Sequence, residues 1–567
     1  MGVTRLDQFL FEISKALRTR DGAKLQDVLV LEPPFAPIYQ AVIAELRSSF
    51  QKQELLDKKC ETALPPDDGT SGGSWPAFIS FLVQYLGFIR DVDVSQLVET
   101  HNQLRALLKQ ANIALNHASM GLVMVPTVVF FSQTLSKLSI GLDKRPDLTA
   151  NLSTDQSDTG EHVTLVEASA NVIKESCLRC LNDRAGGVNG LEANDTIAGR
   201  KIGIYALANI ALRLFFYCKR LRSAEQVFHN IEQTSRGPSG IPSLNLFPAA
   251  QRVTYLYFLG RYFFANTHFH FAQQTLQAAY DHCHKQALPQ RRKILTYLCL
   301  SDILIGRFPS QALLSRPEAS GLSSHLIPLC HAIKLGDIAT FQTLLSLPHK
   351  TAHQMYNWRA ALQFQTFGLT LVQRSLARRT FLLSGVHPDP GSKQAPNFSL
   401  DDLRILQAFL EENALKRHAP AAFQHSFPFF PTSAAIPEPQ PLSELSTNLS
   451  FGVVKSTHTS DNDNDDGSSS SSGEDDDDDR EKPQQRRRIS SRARKYTPQQ
   501  KALANIESDV AVLTQQGYLH GYLNHKHGRF VISGARNSTK SPVEVGFPRI
   551  CDITSRRYLN ETPPGWI

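Results

Sequence analysis

The chain is poor in the residues that would make it a disulfide scaffold, a membrane protein or a recognisable enzyme. Eight cysteines are scattered over 567 residues, at Cys60, Cys177, Cys180, Cys218, Cys283, Cys299, Cys330 and Cys551. That usage implies no disulfide framework and suits a reducing compartment. Cys177 and Cys180 form a lone CxxC. Without a second such pair or nearby histidines, they are expected to be ordinary helix cysteines rather than metal ligands. His282-Cys283-His284 is a weaker signal, because adjacent helical residues point in different directions. No unbroken apolar run approaches the ~18–20 residues that span a bilayer, so no membrane partner is expected. Residues 121–131 are mostly apolar but too few, and read as a buried core segment. The first residues lack the long apolar core of a signal peptide. Leu6 stands where a myristoylation pattern needs Ser or Thr. P-loop and HExxH patterns are missing too, so no enzyme, cofactor or metal is expected.

What is present is a long, moderately apolar chain with unevenly placed charge. Hydrophobic residues make up 41%, with a mean hydropathy of −0.25, so most of the chain can bury a core. The formal net charge is +7. Residues 461–495 hold 11 acidic and 8 basic side chains, a local −3 that leaves +10 for the rest. A body this basic suits an anionic partner, nucleic acid or an acidic protein.

Helical periodicity dominates. Residues 1–60 read as two or three helices broken by Pro33, Pro34 and Pro37, with a stripe of Leu6, Phe9, Leu10, Ile13 and Leu17 on the first. Residues 64–76 are a loop by composition. From 77 to about 383 nearly every periodic segment is helical, with interruptions at 142–160 and 182–195. A repeat runs through this part. In 256–284, Leu259, Gly260, Phe263, Ala272, Leu276 and Ala279 fall at tetratricopeptide spacing, where small residues let two helices approach closely. Poorer copies are 208–231, with Phe215, Ala224, Phe228 and Ile231, and 325–347, with a Leu335-Gly336-Asp337 turn. The ordinary alternative is an irregular helical bundle. A long helix over 358–383 follows, then a linker, HPDPGSKQAPN.

The end of the chain changes character. Ser399 is a candidate N-cap with Asp402 in the capping-box position. Leu403, Leu406, Leu410 and Leu415 continue that helix. Residues 420–500, rich in Pro, Ser and then charge, cannot bury enough apolar area to offset ordering entropy and are expected to be a disordered insertion. Beyond it, Ile506, Val510 and Leu513 share a helical face, and Gly517 is placed for a left-handed cap. Leu519, Gly521 and Leu523 alternate with Tyr518, His520 and Tyr522, as in a half-buried strand. A turn at 524–528 and a return strand at 529–533 complete a winged helix. Strand patterns are essentially absent before Tyr518. The fold class expected is all-α: a TPR-like helical-repeat stack capped by a C-terminal winged helix with a small β-ribbon, and a long disordered insertion inside the winged helix.

Two segments, LGRYFFANTHFHFAQQTLQAAYDHCH and GYLHGYLNHKHGRFVIS, resemble the PCI-domain family. Within it they resemble the messenger-RNA export factor branch, which includes the PCI subunit of the TREX-2 complex and the COP-nine signalosome subunit twelve-like proteins. The likeness covers about 208–534 without the insertion, which departs from the family's spacing. Domains are then expected at 1–60 (N-terminal helices), 77–254 (helical repeats), 255–397 (helical part of the PCI domain), 398–534 (its winged helix) and 535–567 (a tail). The resemblance implies a non-catalytic assembly subunit of a hetero-oligomer in the nucleus, at nuclear pores. Its implied partners are a larger export scaffold protein, a small acidic chaperone-like subunit shared with the proteasome lid, and RNA or DNA. The alternative is a purely protein-binding subunit of a signalosome-like assembly.

Three basic groups are candidates for nucleic acid. His525, Lys526, His527 and Arg529 sit at the wing turn, where cations can reach phosphate without breaking a core. Arg374, Arg378 and Arg379 lie on the helix before the winged helix, Arg374 and Arg378 on one face. Arg486, Arg487, Arg488, Arg492, Arg494 and Lys495 form a run that suits nucleic acid or nuclear import. For each, the ordinary alternative is a solvated surface. Val510, Leu513, Tyr518 and Tyr522 are candidate partner contacts. Tyr255, Tyr257, Tyr262, Phe263, Phe264 and Phe271 are expected to pack between helices rather than stack on bases.

Overall fold

The computed structural model describes residues 4–561 except 65–74, 94, 150–162, 186–189, 193, 238–239, 388–393, 419–496 and 536–537. The basic run from Arg486 to Lys495 and nearly all of the expected insertion lie outside the described residues. One compact unit comprises 1–412 and 503–567, and a second comprises 413–502. Helix dominates.

The first 63 residues form four helices rather than two or three: Arg5–Arg18, Gly22–Val28, Pro37–Ser49 and Gln53–Ala63. The extra boundary lies at Asp21, whose side chain caps the amide of Lys24. The apolar stripe on the first helix buries Leu6, Phe9, Leu10 and Ile13. The apolar segment at 121–131 is the start of a 23-residue helix, Gly121–Asp143. This helix is long and apolar enough to cross a membrane, but 61% of its most apolar stretch is buried inside the protein. Val123, Met124, Val128, Phe131 and Leu135 are buried, and Phe131 packs on Phe81 and Tyr85 of helix Pro76–Asp91. Cys177 and Cys180 are buried on helix Leu165–Leu181, and burial pushes the Cys180 thiol up to about 12.

Three helix pairs occupy the positions of the repeat copies: Ile204–Tyr217 with Leu221–Arg236, Ala249–Ala265 with Phe269–His282, and Ser323–Leu335 with Ile338–Leu345. In the middle pair a Cβ on Gly260 would stand 2.5 Å from Leu276 Cγ, so only glycine allows this approach. Tyr255 and Phe264 are buried, and Phe263 packs on Phe271 with centroids 5.7 Å apart. Two hydrophobic clusters meet on helix Ala249–Ala265: Tyr255 and Phe258 belong to the first, Val253 and Phe264 to the second.

The long helix expected over 358–383 starts three residues later. Arg359 is left-handed (φ 54°), and the helix runs from Ala361 through a π-turn at Phe364–Gly368 to Ser384. A short strand follows, its first residue expected in the linker and its last two expected to open the next helix. β1 (Asn397–Ser399) pairs antiparallel with β3 (Arg529–Ile532), which also pairs antiparallel with β2 (Gly521–Asn524). The sheet order is β1-β3-β2. Helix Leu400–His418 starts directly after β1, where Ser399 Oγ accepts from the Asp401 amide at 3.2 Å. Helix Pro498–Gln515 precedes β2 and ends at Gly517 (φ 78°). Ile506, Val510, Leu513, Phe398, Leu403, Phe530 and Ile532 form one buried cluster.

The alternation expected from Tyr518 does not hold. Tyr518 and Leu519 are both buried, at 3% and 2% exposure, and the strand begins at Gly521. The expected C-terminal tail is built into the fold through its described residues. Helices Pro542–Gly546 and Ile550–Glu561 flank Phe547, which is buried against Phe381 at 5.8 Å. Gly546 O accepts from the His520 amide at 2.9 Å. Gly306, at φ 83°, leaves room for Ile550.

Candidate nucleic-acid interface

The sheet sorts its side chains by alternation. Phe530 and Ile532 point into the core, so Arg529 and Val531 face outward. Directly opposed residues share a face. Asn524 opposes Arg529, Tyr522 opposes Val531, and on the other side Ser399 and Asn397 oppose the same two residues. One sheet face therefore carries Ser399, Tyr522, Asn524, Arg529 and Val531, with Asn397 on the same face but covered, at 5% exposure. Beside them lies a hollow of about 470 Å3 lined by Gln394, Asn397, Asn524, His527, Arg529 and Val531.

The turn joining β2 to β3 carries the wing cations. Gly528 (φ 57°) closes it, and its carbonyl accepts from the Leu400 amide at 2.9 Å. His525 Nδ1 is 2.6 Å from Glu507 Oε1, so this histidine is engaged by its own domain. Lys526 and His527 are exposed and make no side-chain bond among the described residues. Arg529 Nη1 donates to Asn397 Oδ1 at 2.8 Å, which fixes the guanidinium at the hollow. Asn397 then donates to Ala395 O at 2.9 Å.

The second basic group is split. Arg374 is 9% exposed and donates from Nη2 to the carbonyls of Phe547 and Pro548, at 3.1 and 2.7 Å. Burial, aided by Arg378, pushes its pKa down to about 10. This corrects the expectation that Arg374 and Arg378 present one charged face: Arg374 anchors the C-terminal segment, and only Arg378 is exposed. Arg379 Nη1 donates to Leu335 O at 2.8 Å.

The candidate partner contacts need correction as well. Val510 and Leu513 are each 1% exposed and Tyr518 3%, because they fill their own domain's core. Tyr522 alone of the four is outside, at 55%, and does not share a face with Tyr518. Ile405, Phe409, Leu415 and Val512 are exposed large apolar side chains of the two helices here. Asn397, Asn524 and Gln394 were missed from sequence, because an amide in a linker or turn carries no signal until a strand pairs it.

No family model matches the chain. It is 30% identical over 228 residues to the Protein CSN12 homolog of Neurospora crassa, covering 39% of this chain and 46% of that protein. It is 23% identical over 380 residues to a PCI domain-containing protein of Schizosaccharomyces pombe, covering 67% and 79%. To PCI domain-containing protein 2 of Danio rerio it is 24% identical over 315 residues, covering 55% and 67%. The chain spans about half the length of the CSN12 homologues it matches, 46% in Neurospora crassa and 44% in Gibberella zeae. These likenesses, together with a mostly helical architecture, support placing the chain in the PCI-domain family.

Proposed function

We propose that this chain is a non-catalytic scaffold subunit of a nuclear multi-protein complex of the messenger-RNA export type, acting at nuclear pores. In this reading the helical pairs are a TPR-like stack and residues 397–547 a winged helix. The wing grips RNA or DNA, and other subunits dock elsewhere on the chain. The observation that carries it is the wing itself. Lys526 and His527 stand exposed and unengaged beside a fixed Arg529, on a basic protein. Cations held this way contact phosphate at little structural cost. The partners expected are a larger scaffold protein and a small acidic subunit.

The test is salt-dependent binding of the full chain to RNA. Lys526→Glu with Arg529→Glu is expected to flatten the slope of log affinity against log salt by about two. An unchanged slope sinks the wing as the site. A second reading, a protein-binding subunit of a signalosome-like assembly, is favoured by the names of the CSN12 relatives and by exposed Ile405, Phe409 and Val512. Pull-down of the full chain separates them: export-scaffold recovery supports the first, signalosome subunits the second.

A further inference from the structure

We infer that the outward face of the three-stranded sheet binds single-stranded nucleic acid through its bases, with Tyr522 as the stacking platform. This rests on the nucleic-acid reading above and names its substrate class. Tyr522 is 55% exposed in the middle of a strand, directly opposite Val531. Scattered apolar side chains on a surface need no explanation. This one belongs to a built arrangement. The same sheet face carries the Arg529 guanidinium, fixed by Asn397 at 2.8 Å, and Asn524, whose side-chain amide makes no bond among the described residues. An open, polar hollow adjoins this face, lined in part by Asn524, His527 and Arg529.

Each group suits one part of an unpaired nucleotide. An aromatic ring offers a face to any base, which is why stacking platforms tolerate sequence. Side-chain amides match the hydrogen-bonding edges of bases. Lys526 and His527, one turn away, suit the phosphates on either side. A duplex keeps its base faces stacked inside, so it can use the cations but not Tyr522. A single strand can use both.

The experiment compares three probes on the full chain by fluorescence anisotropy at fixed salt. They are an oligouridylate, an abasic oligomer of equal length and charge, and an RNA duplex. Wild type is expected to bind oligouridylate more tightly than the abasic oligomer. Tyr522→Ala should lose about ten-fold or more on oligouridylate and nothing on the other two probes. Tyr522→Phe should keep wild-type affinity, since it keeps the ring. Tyr522 is exposed, so these variants are expected to fold, which the thermal midpoint checks. If Tyr522→Ala binds oligouridylate like wild type, or weakens on all three probes alike, stacking is overturned. Should Lys526→Glu still weaken every probe in that case, the nucleic-acid reading survives alone. If wild type binds none of the probes, both fall. Tyr522-dependent binding of polyglutamate instead of RNA would reassign the face to acidic protein.

Discussion

Between residues 204 and 304, Arg261 and Arg291 pack with Tyr257, Tyr280 and Tyr297 as structural material, while Arg213, Arg222, Arg236, Arg292 and Tyr217 are exposed. In the strand module, 397–547, the same two residue types also divide between inside and outside. The Arg261 guanidinium lies over the rings of Phe216, Tyr257 and Tyr297, at 4.8, 5.6 and 4.9 Å. Arg291 sits 4.0 Å over Tyr280 and pairs with Glu318 at 3.2 Å. In the strand module Tyr518 is sealed in, as is Arg374 on the helix before it, while Arg529 and Tyr522 face out. A buried cation must find rings, carboxylates or carbonyls to offset lost hydration. A cation left over after such pairing is free for a partner. Position in the fold, not residue type, separates the structural groups from the candidate binding groups.

The largest effect expected is an acid weakening that originates at His101 on helix Leu97–Leu115. His101 is fully buried, with Nε2 2.8 Å from Ser169 Oγ and Nδ1 without a hydrogen bond. Burial, with Arg105 adding to it, pushes its pKa from 6.5 down to about 4. The folded value lies below the unfolded one, so stability is full above about pH 6.5. It is lost as pH falls towards 4, by about 1.4 kcal/mol per pH unit and about 3 kcal/mol in all. Denaturant midpoints between pH 7 and 4 check this, and His101→Gln should flatten the profile. An equal slope in that variant would remove His101 as the cause.

Next in size is the anchor of the strand module. Arg374→Met fills much of the same space but leaves the Phe547 and Pro548 carbonyls without their donor. A loss of about 2 kcal/mol is expected, because each unpaired buried acceptor costs about 1–3 kcal/mol and the removed charge returns part of that. Hydrogen exchange should quicken first across 542–556. The exposed neighbour Arg378→Met should stay within about 0.5 kcal/mol. If the two variants behave alike, the inside–outside division on this helix is wrong.

Much of this layout was legible in sequence. The spacing of Gly260, Ala272 and Leu276 announced a close helix pair, and Ile506, Val510 and Leu513 announced a buried helix face. What failed has two physical causes. Three-residue β1 is too short to show alternation, and its pairing with β3 spans more than a hundred residues. The sequence periodicity that marked Val510 and Leu513 as one face could not say whether that face met its own domain or a partner. The structure gives it to the domain. Helix stops were legible where they used glycine, as at Gly336 and Gly517. They were missed where Arg20, Lys219, Thr267 and Arg359 take the same left-handed conformation.

Those stops supply the smallest and sharpest test. After each left-handed residue the next amide reaches back five residues to a carbonyl: Asp21 to Ala16 at 3.0 Å, Arg220 to Phe215 at 2.9 Å, His268 to Phe263 at 2.9 Å, Ala360 to Met355 at 2.9 Å. Gly517 does the same, with the Tyr518 amide bonded to Leu513 O at 2.9 Å. The bond pattern is that of the Schellman stop, and it holds whether or not glycine supplies the left-handed residue. A side chain in that conformation costs about 1–2 kcal/mol, part of which glycine gives back through greater unfolded-state freedom. Lys219 is exposed and makes no side-chain bond among the described residues. Lys219→Gly should therefore stabilise the protein by about 0.5–1 kcal/mol, read as a higher denaturant midpoint with unchanged slope. Gly517→Lys in the strand module should lose a similar amount. If Lys219→Gly instead destabilises, the stops of the hairpins are held by something other than this backbone geometry, and the two regions do not share a way of ending their helices.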